Sequence, residues 1–256
     1  MFIDTHCHLT FPNFKEDLDD VITRAEAADV RKIIVPGMDL HTSREAVQLA
    51  DQYVAVYAAV GVHPQESRSF NPDHMKEFEG LASHPKVVAV GEIGLDFYRD
   101  YAPHDLQRSV FRNFLNFAGH RRLPVIIHNR AAYDDILKIV REAEFREVSG
   151  VFHCFSEDER GADEVMNLGY AVSFTGTVTF KNSKTAEISR STPLDKQLLE
   201  TDAPFMAPAP FRGKRNEPAY VKHIAEKQAE LRAITSGEVG RITTEHAYHI
   251  FPRLRN

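Results

Sequence analysis

Two histidines close the first apolar run of the chain, in the segment Asp4-Thr5-His6-Cys7-His8. Because side chains alternate along a strand, both imidazoles point to one face and Cys7 points to the other. A lone buried histidine is usually only a packed core residue, whereas a pair at a strand end shifts the balance toward a metal site, with a packed core pair as the open alternative. The spacing therefore favours metal binding at the end of this strand.

Four further candidate ligands stand at or just after the ends of other apolar runs: Glu92, His128, His153 and Asp202. A carboxylate such as Glu92 is costly in an apolar strand, so it either pairs with a neighbouring strand or binds a cation. Asp202 by itself fits a residue that caps a turn. Together with the histidine pair, the four residues predict two divalent ions that share Glu92 as a bridge.

The identity of the metal stays open at this point. A mixed set of imidazoles and carboxylates suits Zn²⁺, Mn²⁺ or Fe²⁺ better than an all-oxygen Mg²⁺ cage, although Mg²⁺ with substrate phosphate and water also fits. A zinc thiolate site built from Cys7 and Cys154 is disfavoured, because strand alternation turns both thiols away from the neighbouring histidines.

Two further features bear on an anionic substrate. His63 ends the third apolar run and could donate a hydrogen bond to a bound anion or a leaving group, although a plain loop histidine fits equally. Arg212, Lys214 and Arg215 follow Asp202 and precede a predicted helix N-terminus, an arrangement that can receive a phosphate. Without the metal ligands nearby, the same three cations would be read as a solvated turn.

Eight short β-branched or aromatic runs must position these residues, and they alternate with longer amphipathic stretches. The runs cover residues 2–5, 32–36, 56–62, 87–93, 124–128, 151–155, 170–174 and 198–201. Continuous apolar runs between helices are typical of a parallel sheet covered by helices. Eight units predict a single (β/α)8 TIM-type barrel that forms one domain over residues 1–256, with an open doubly wound sheet as the alternative. The candidate ligands would then share the C-terminal rim, where such barrels place their active sites.

The composition limits which binding partners and which cellular compartment we expect for the protein. The formal net charge of −6 argues against a protein that coats nucleic acid with a broad basic surface, so a polyanion must be met locally. The 2 cysteines are too few for a disulfide framework, no run approaches the length of a membrane span, and no signal peptide pattern opens the chain. We expect a soluble cytoplasmic protein with no membrane contact and no obligatory protein partner.

The motifs together resemble those of the TatD family of metal-dependent deoxyribonucleases, within the amidohydrolase superfamily. The matching segments, in family order, are IDTHCH (3–8), GVHP (61–64), GEIGLD (91–96), IHNR (127–130), FHCFS (152–156), ETDAP (200–204) and RGKRNEP (212–218). The resemblance spans essentially the whole chain and places the bridging ligand at Glu92 rather than at a modified lysine. The departures are Asn129, where a serine is common, and His246 and His249, where an asparagine is frequent.

What the resemblance implies is hydrolysis of DNA phosphodiesters by a 3′ to 5′ exonuclease. Asp202 would act as general base, His63 would stabilise the phosphate or leaving group, and Arg130 would position the strand with the basic loop. Because a net-negative protein holds few phosphates at once, we expect it to act on single-stranded or frayed ends. The alternatives are a superfamily hydrolase of a small amide, lactone or phosphoester, and a non-catalytic metal-binding scaffold.

Overall fold

Eight parallel strands form the centre of the computed structural model, which describes residues 1–255. The strands are β1 (Phe2–Asp4), β2 (Val30–Pro36), β3 (Val56–Val60), β4 (Val87–Asp96), β5 (Val125–Arg130), β6 (Gly150–Phe152), β7 (Ala171–Phe174) and β8 (Gln197–Leu199). Each strand pairs in parallel with the next one along the chain. This consecutive order is that of a (β/α)8 barrel, so the predicted fold is confirmed; a doubly wound sheet would reverse its strand order partway.

Helices follow the strands and cover the outside of the sheet. Within the described residues they are α1 (Leu18–Ala27), α2 (Leu40–Gln52), α3 (Met75–Ala82), α4 (His104–Arg121), α5 (Tyr133–Val140), α6 (Glu159–Asn167), α7 (Lys184–Ser191), α8 (Val221–Arg232) and α9 (Ser236–Ile250). Several begin at side chains that accept a backbone hydrogen bond, as Asp39 does from the Thr42 N–H at 2.7 Å. No helix in residues 1–255 is long and apolar enough to cross a membrane.

The ring closes through backbone hydrogen bonds just beyond the ends of β1 and β8. The Thr5 N–H donates to the Leu199 carbonyl at 3.0 Å, and the His8 N–H donates to the Ala203 carbonyl at 2.8 Å. The buried Asp4 carboxyl group reinforces this closure, because it accepts the Thr201 backbone N–H at 2.9 Å and the Thr201 hydroxyl at 2.6 Å. Burial raises the pKa of the Asp4 carboxyl to about 8, against the lowering effect of these hydrogen bonds.

The strand ends differ from the predicted ones in a way that shapes the site. β4 and β5 continue to Asp96 and Arg130, which are register partners, so both strands project further toward the C-terminal end than the apolar runs indicate. β6 and β8 stop earlier, ahead of Cys154 and Asp202, whose φ angles of 48° and 53° lie in the left-handed region. An uneven rim results, with two long strands on one side.

The opposite end of the barrel is closed by the C-terminal part of the chain. Phe251 and Leu254 are fully buried, and they pack with α9 against interior side chains such as Ile34 and Leu198. Arg253 donates to the Val87 carbonyl at 2.7 Å. We call α9 and the segment after it the floor of the barrel. Because the floor closes this end, a substrate can enter at the C-terminal end of the barrel.

Candidate metal centre

All six predicted ligands come together at the C-terminal end of the barrel. His6 and His8 follow β1, Glu92 lies in β4, His128 lies in β5, His153 follows β6 and Asp202 follows β8. Their side chains are largely buried, and the most exposed of them is His128 at 17%. Three overlapping groups of three residues each bring their ligand atoms within 4.8 Å of one another, a spacing that fits metal binding. The groups are His6, His153 and Asp202; His6, His8 and Glu92; and His63, Glu92 and His128.

Glu92 occupies the centre of this cluster. Its Oε2 atom lies 3.3 Å from His6 Nε2 and 3.7 Å from His8 Nε2. Its Oε1 atom lies 2.7 Å from His128 Nδ1 and 2.8 Å from His153 Nε2. Each carboxylate oxygen therefore faces a different pair of imidazoles, as a carboxylate shared by two cations would. Burial opposes ionisation of Glu92, but the surrounding imidazoles hold its pKa well below the ordinary value.

The β1 histidines converge with Asp202 on one point. His6 Nε2 and His8 Nε2 lie 3.1 Å apart, and Asp202 Oδ1 lies 3.4 Å from His8 Nε2 and 3.8 Å from His6 Nε2. The Oε2 atom of Glu92, on the same side, is buried without a hydrogen-bond donor. Two imidazole nitrogens and two carboxylate oxygens gathered in this way fit a divalent cation, which would satisfy all four.

Two buried carboxylates stand behind the other histidines, and sequence reasoning did not assign either of them a role. Asp96 Oδ2 lies 3.5 Å from His128 Nε2, and Glu200 Oε1 lies 3.5 Å from His153 Nδ1. A carboxylate in this position orients a ligating imidazole and increases its basicity. Against the effect of burial, these carboxylates and Glu92 raise the pKa of both histidines. The sequence feature that predicted Glu92, a carboxylate next to an apolar run, could also have identified Asp96 and Glu200.

His63 lies at the cluster and not in solvent. Its Nε2 atom is 3.5 Å from Glu92 Oε1, and its side chain is 5% exposed. Its Nδ1 atom accepts the Gln65 backbone N–H at 3.2 Å, so the proton of the neutral ring is carried by Nε2. Burial lowers the pKa of His63 to about 3. The ring is therefore a neutral hydrogen-bond donor that faces the centre.

Arg215 differs from the phosphate-binding role expected of it. Its Nη1 and Nη2 atoms donate to the two carboxylate oxygens of Asp17, each at 2.7 Å. Arg24 lies in the same ion-pair cluster and donates to Glu217 at 2.8 Å. The Arg215 guanidinium is therefore engaged within the protein, where it ties the loop after β8 to the segment before α1.

The other predicted cations remain available to an anion. Arg212 and Lys214 are exposed, and Lys214 makes no ion pair within residues 1–255. The Arg212 guanidinium lies 4.5 Å from the centre of the Phe180 ring, and the Arg130 guanidinium lies 4.2 Å from that of Tyr98. Stacking on a ring leaves the edges of a guanidinium free to donate hydrogen bonds.

A (β/α)8 barrel with a buried histidine and carboxylate cluster at its C-terminal end defines a metal-dependent hydrolase. Residues 3–252 match the family model described as "TatD related DNase", so the chain belongs to the TatD family and the resemblance of its motifs is confirmed. It is 44% identical to the metal-dependent hydrolase YabD of Bacillus subtilis, over 98% of this chain and 99% of the relative.

Two further relatives bear on fold and activity. The crystal structure of YJJV, a TatD homolog from Escherichia coli, superposes with a TM-score of 0.92 at 34% identity and covers 98% of both chains. A protein of Klebsiella pneumoniae named 3′-5′ ssDNA/RNA exonuclease TatD is 33% identical over 90% of this chain and 89% of its own length. The chain is thus a TatD-family metal-dependent hydrolase that acts on ester bonds.

Proposed function

We propose that this protein hydrolyses phosphodiester bonds of DNA as a 3′ to 5′ exonuclease, starting from single-stranded or frayed ends. The observation that carries the proposal is the position of Glu92, whose two oxygens face two different imidazole pairs. Paired cations in such a centre stabilise the attacking and leaving oxygens of a phosphoryl displacement. The exonuclease activity for which the Klebsiella pneumoniae relative is named points to the same class of substrate. We further propose that the protein acts in the cytoplasm.

The six ligands would hold two divalent ions, Mg²⁺, Mn²⁺ or Zn²⁺. His6, His8 and Asp202 would hold one, His128 and His153 the other, and Glu92 would bridge them. Ions bound there would polarise a phosphoryl oxygen and lower the pKa of the water that attacks phosphorus.

Asp202 and His63 would move protons at the reacting atoms. The Asp202 carboxylate is ionised, since His8 and the charges of its neighbours lower its pKa in spite of burial. It would accept a proton from the attacking water as general base. His63 Nε2, a neutral donor, would hydrogen-bond to the phosphate or to the leaving oxygen.

Arg130, Arg212 and Lys214 would position the strand by contacts with its phosphates. They are exposed cations in loops or strand ends on the C-terminal side of the barrel. Because the whole chain carries a net charge of −6, a short local contact of this kind fits the end of a strand better than a long duplex.

Metal reconstitution tests this proposal. Metal-stripped protein is supplied separately with Mg²⁺, Mn²⁺ or Zn²⁺ and incubated with 5′-labelled single-stranded DNA, duplex DNA and RNA. We expect a ladder of labelled products that shortens stepwise with time, and fastest on single-stranded DNA. The variant His246→Asn, which removes a buried histidine outside the centre, serves as the matched control and should give the same ladder.

Three outcomes would contradict the proposal in different ways. Immediate release of a labelled mononucleotide would reverse the direction of cleavage. Intact DNA and RNA with every metal, combined with turnover of a small lactone or amide, would reassign the centre to a small-molecule hydrolase. Tight metal binding without turnover of any of these substrates would indicate a scaffold.

A further inference from the structure

Exposed apolar side chains concentrate around the metal centre. Six large hydrophobic side chains are exposed within residues 1–255, and four of them lie in the loops that follow β4 and β8: Tyr98, Tyr101, Phe205 and Met206. Loops after the strands of a barrel surround its C-terminal entrance. Apolar groups gathered at an entrance mark a binding surface, whereas the same groups scattered singly need no explanation.

Phe205 is a fixed ring beside the β1 histidines. Its backbone N–H donates to the Asp202 carbonyl at 2.9 Å, and its own carbonyl accepts the Asn216 side-chain amide at 2.6 Å. The ring packs edge-on against Phe11, with centroids 5.9 Å apart, and its centroid lies 6.3 Å from that of His8. Although held in this way, Phe205 is 50% exposed, so part of this residue is open to solvent in the loop after β8.

Tyr98 is the corresponding ring on the other side. Its backbone N–H donates to Asp96 Oδ1 at 3.0 Å, while the second oxygen of Asp96 faces His128. Tyr98 is 64% exposed, and two guanidinium groups lie over its ring, that of Arg130 at 4.2 Å and that of Arg99 at 5.5 Å from the ring centre. Because the strands follow one another in order around the ring, the β4/β5 edge lies opposite the β8/β1 edge. The two rings therefore stand on opposite sides of the metal cluster.

We propose that Phe205 and Tyr98 are stacking platforms for unpaired bases of a nucleic acid whose scissile phosphate lies between them. The inference rests on the proposed function and extends it to the part of the substrate that the protein recognises. Aromatic rings accompanied by cations bind single strands in a sequence-tolerant way, because every base has a π-face and every linkage has a phosphate. Bases within a duplex already stack on one another, so the platforms select single-stranded or frayed ends.

The charges around the rings favour nucleic acid over an uncharged apolar ligand. Arg130 accompanies Tyr98, and Lys214 is an exposed unpaired cation within the described part of the loop that also carries Phe205. A small uncharged lactone or amide has no phosphate for these cations to bind. An oligonucleotide end offers bases to the rings and phosphates to the cations at the same time.

The test compares an intact single-stranded oligonucleotide with one whose three 3′-terminal nucleotides are abasic. The ratio of KM for the abasic to KM for the intact strand is measured for the metal-loaded wild type, Phe205→Ala, Tyr98→Ala, Phe205→Tyr and Val54→Ala. Val54 is 89% exposed and precedes β3, at the far end of the barrel, so it is the matched control. A strand carrying 2-aminopurine near its 3′ end reports stacking directly through quenching of its fluorescence.

We expect each stacked base to contribute a factor of about 5 to 150 to the wild-type ratio. The ratio should lose one such factor in Phe205→Ala and one in Tyr98→Ala, with weaker quenching, and stay at the wild-type value in Phe205→Tyr and Val54→Ala. Equal ratios in wild type and both alanine variants would overturn the inference while cleavage itself stands. Quenching that Phe205→Ala abolishes, in a wild type that cleaves no strand, would support stacking and refute the nuclease. Neither quenching nor cleavage would refute both.

Discussion

Asp202 combines two properties at one carboxylate, since it faces the β1 histidines and stays ionised although it is buried. An asparagine has the same shape but neither the charge nor the basicity. We therefore expect Asp202→Asn to keep the fold and to reduce kcat for a labelled oligonucleotide by about 10² or more. Asp17→Asn is the control, because it removes a carboxylate from the Arg215 ion pair and should leave kcat near the wild-type value. Near-normal turnover by Asp202→Asn would remove this residue from the mechanism.

Glu92 is expected to behave differently, because its two oxygens face different histidine pairs. Replacement by glutamine leaves one neutral oxygen and one amide, which cannot serve two cations at once. Elemental analysis after equilibrium dialysis should show that Glu92→Gln lowers the occupancy of both ions together. If the variant lost one ion and kept the other at full occupancy, Glu92 would not be a bridge.

At the residue scale, the ligand positions could be predicted while the groups behind them could not. Each predicted ligand stands at or just after the end of an apolar run, which is visible in the sequence without any knowledge of pairing. The contact of Asp96 with His128 depends on register, because His128 pairs opposite Gly94 and β4 continues to Asp96 beyond it. Register between neighbouring parallel strands is fixed by packing, and apolar runs alone do not reveal it.

At the scale of elements, the loop after β8 was predicted as a basic turn with three equivalent cations. In the structure, one of these cations is ion-paired and two are exposed. Arg215 binds Asp17, which is 198 positions away in the chain and could not be found by inspecting the loop. Arg212 and Lys214 stay exposed. The C-terminal ends of β4, β5, β6 and β8 were also missed, because left-handed residues and long-range pairing set them rather than apolar composition.

This division predicts different effects for the cations of the loop. The double change Arg212→Ala with Lys214→Ala should raise KM for an oligonucleotide more than it lowers kcat, since both residues would position phosphates. Loss of two phosphate contacts should also flatten the slope of log KM against log salt concentration by about 1.4 for a single strand. Steady-state kinetics at several salt concentrations measure both quantities.

Arg215→Ala provides the contrast within the same loop. Because its guanidinium is bound to Asp17, this change should lower the unfolding temperature and leave the salt slope near that of the wild type. If instead Arg215→Ala flattened the slope and the double variant did not, the assignment of the cations would have to be exchanged.

At the scale of the whole molecule, the barrel followed from eight alternating units, but its floor did not. α9 was recognisable as a helix, yet nothing in its pattern indicates that it and the segment after it pack beneath the barrel interior. That placement requires the barrel to exist first. It buries His246 on α9 against the molecule, with an Nε2 atom that has no hydrogen-bond partner within the described residues.

The buried His246 predicts a pH dependence of stability that is separate from the metal centre. Burial, the Lys196 charge and the neighbouring His249 lower its pKa to about 4, against 6.5 for an ordinary histidine, while Asp195 acts in the opposite direction. The unfolded chain therefore binds the proton more readily than the folded one. The contribution of the neutral His246 to the unfolding free energy is complete above about pH 6.5 and is lost as the pH falls toward 4.

Replacing this histidine, in His246→Asn, should remove up to about 3 kcal/mol of the pH dependence of the unfolding free energy. Unfolding free energies measured from pH 7 to pH 4 should lose less in the variant than in the wild type, with Arg241→Gln, an exposed change on the same helix, following the wild type. Parallel curves for wild type and His246→Asn would show that this histidine does not couple the floor of the barrel to pH.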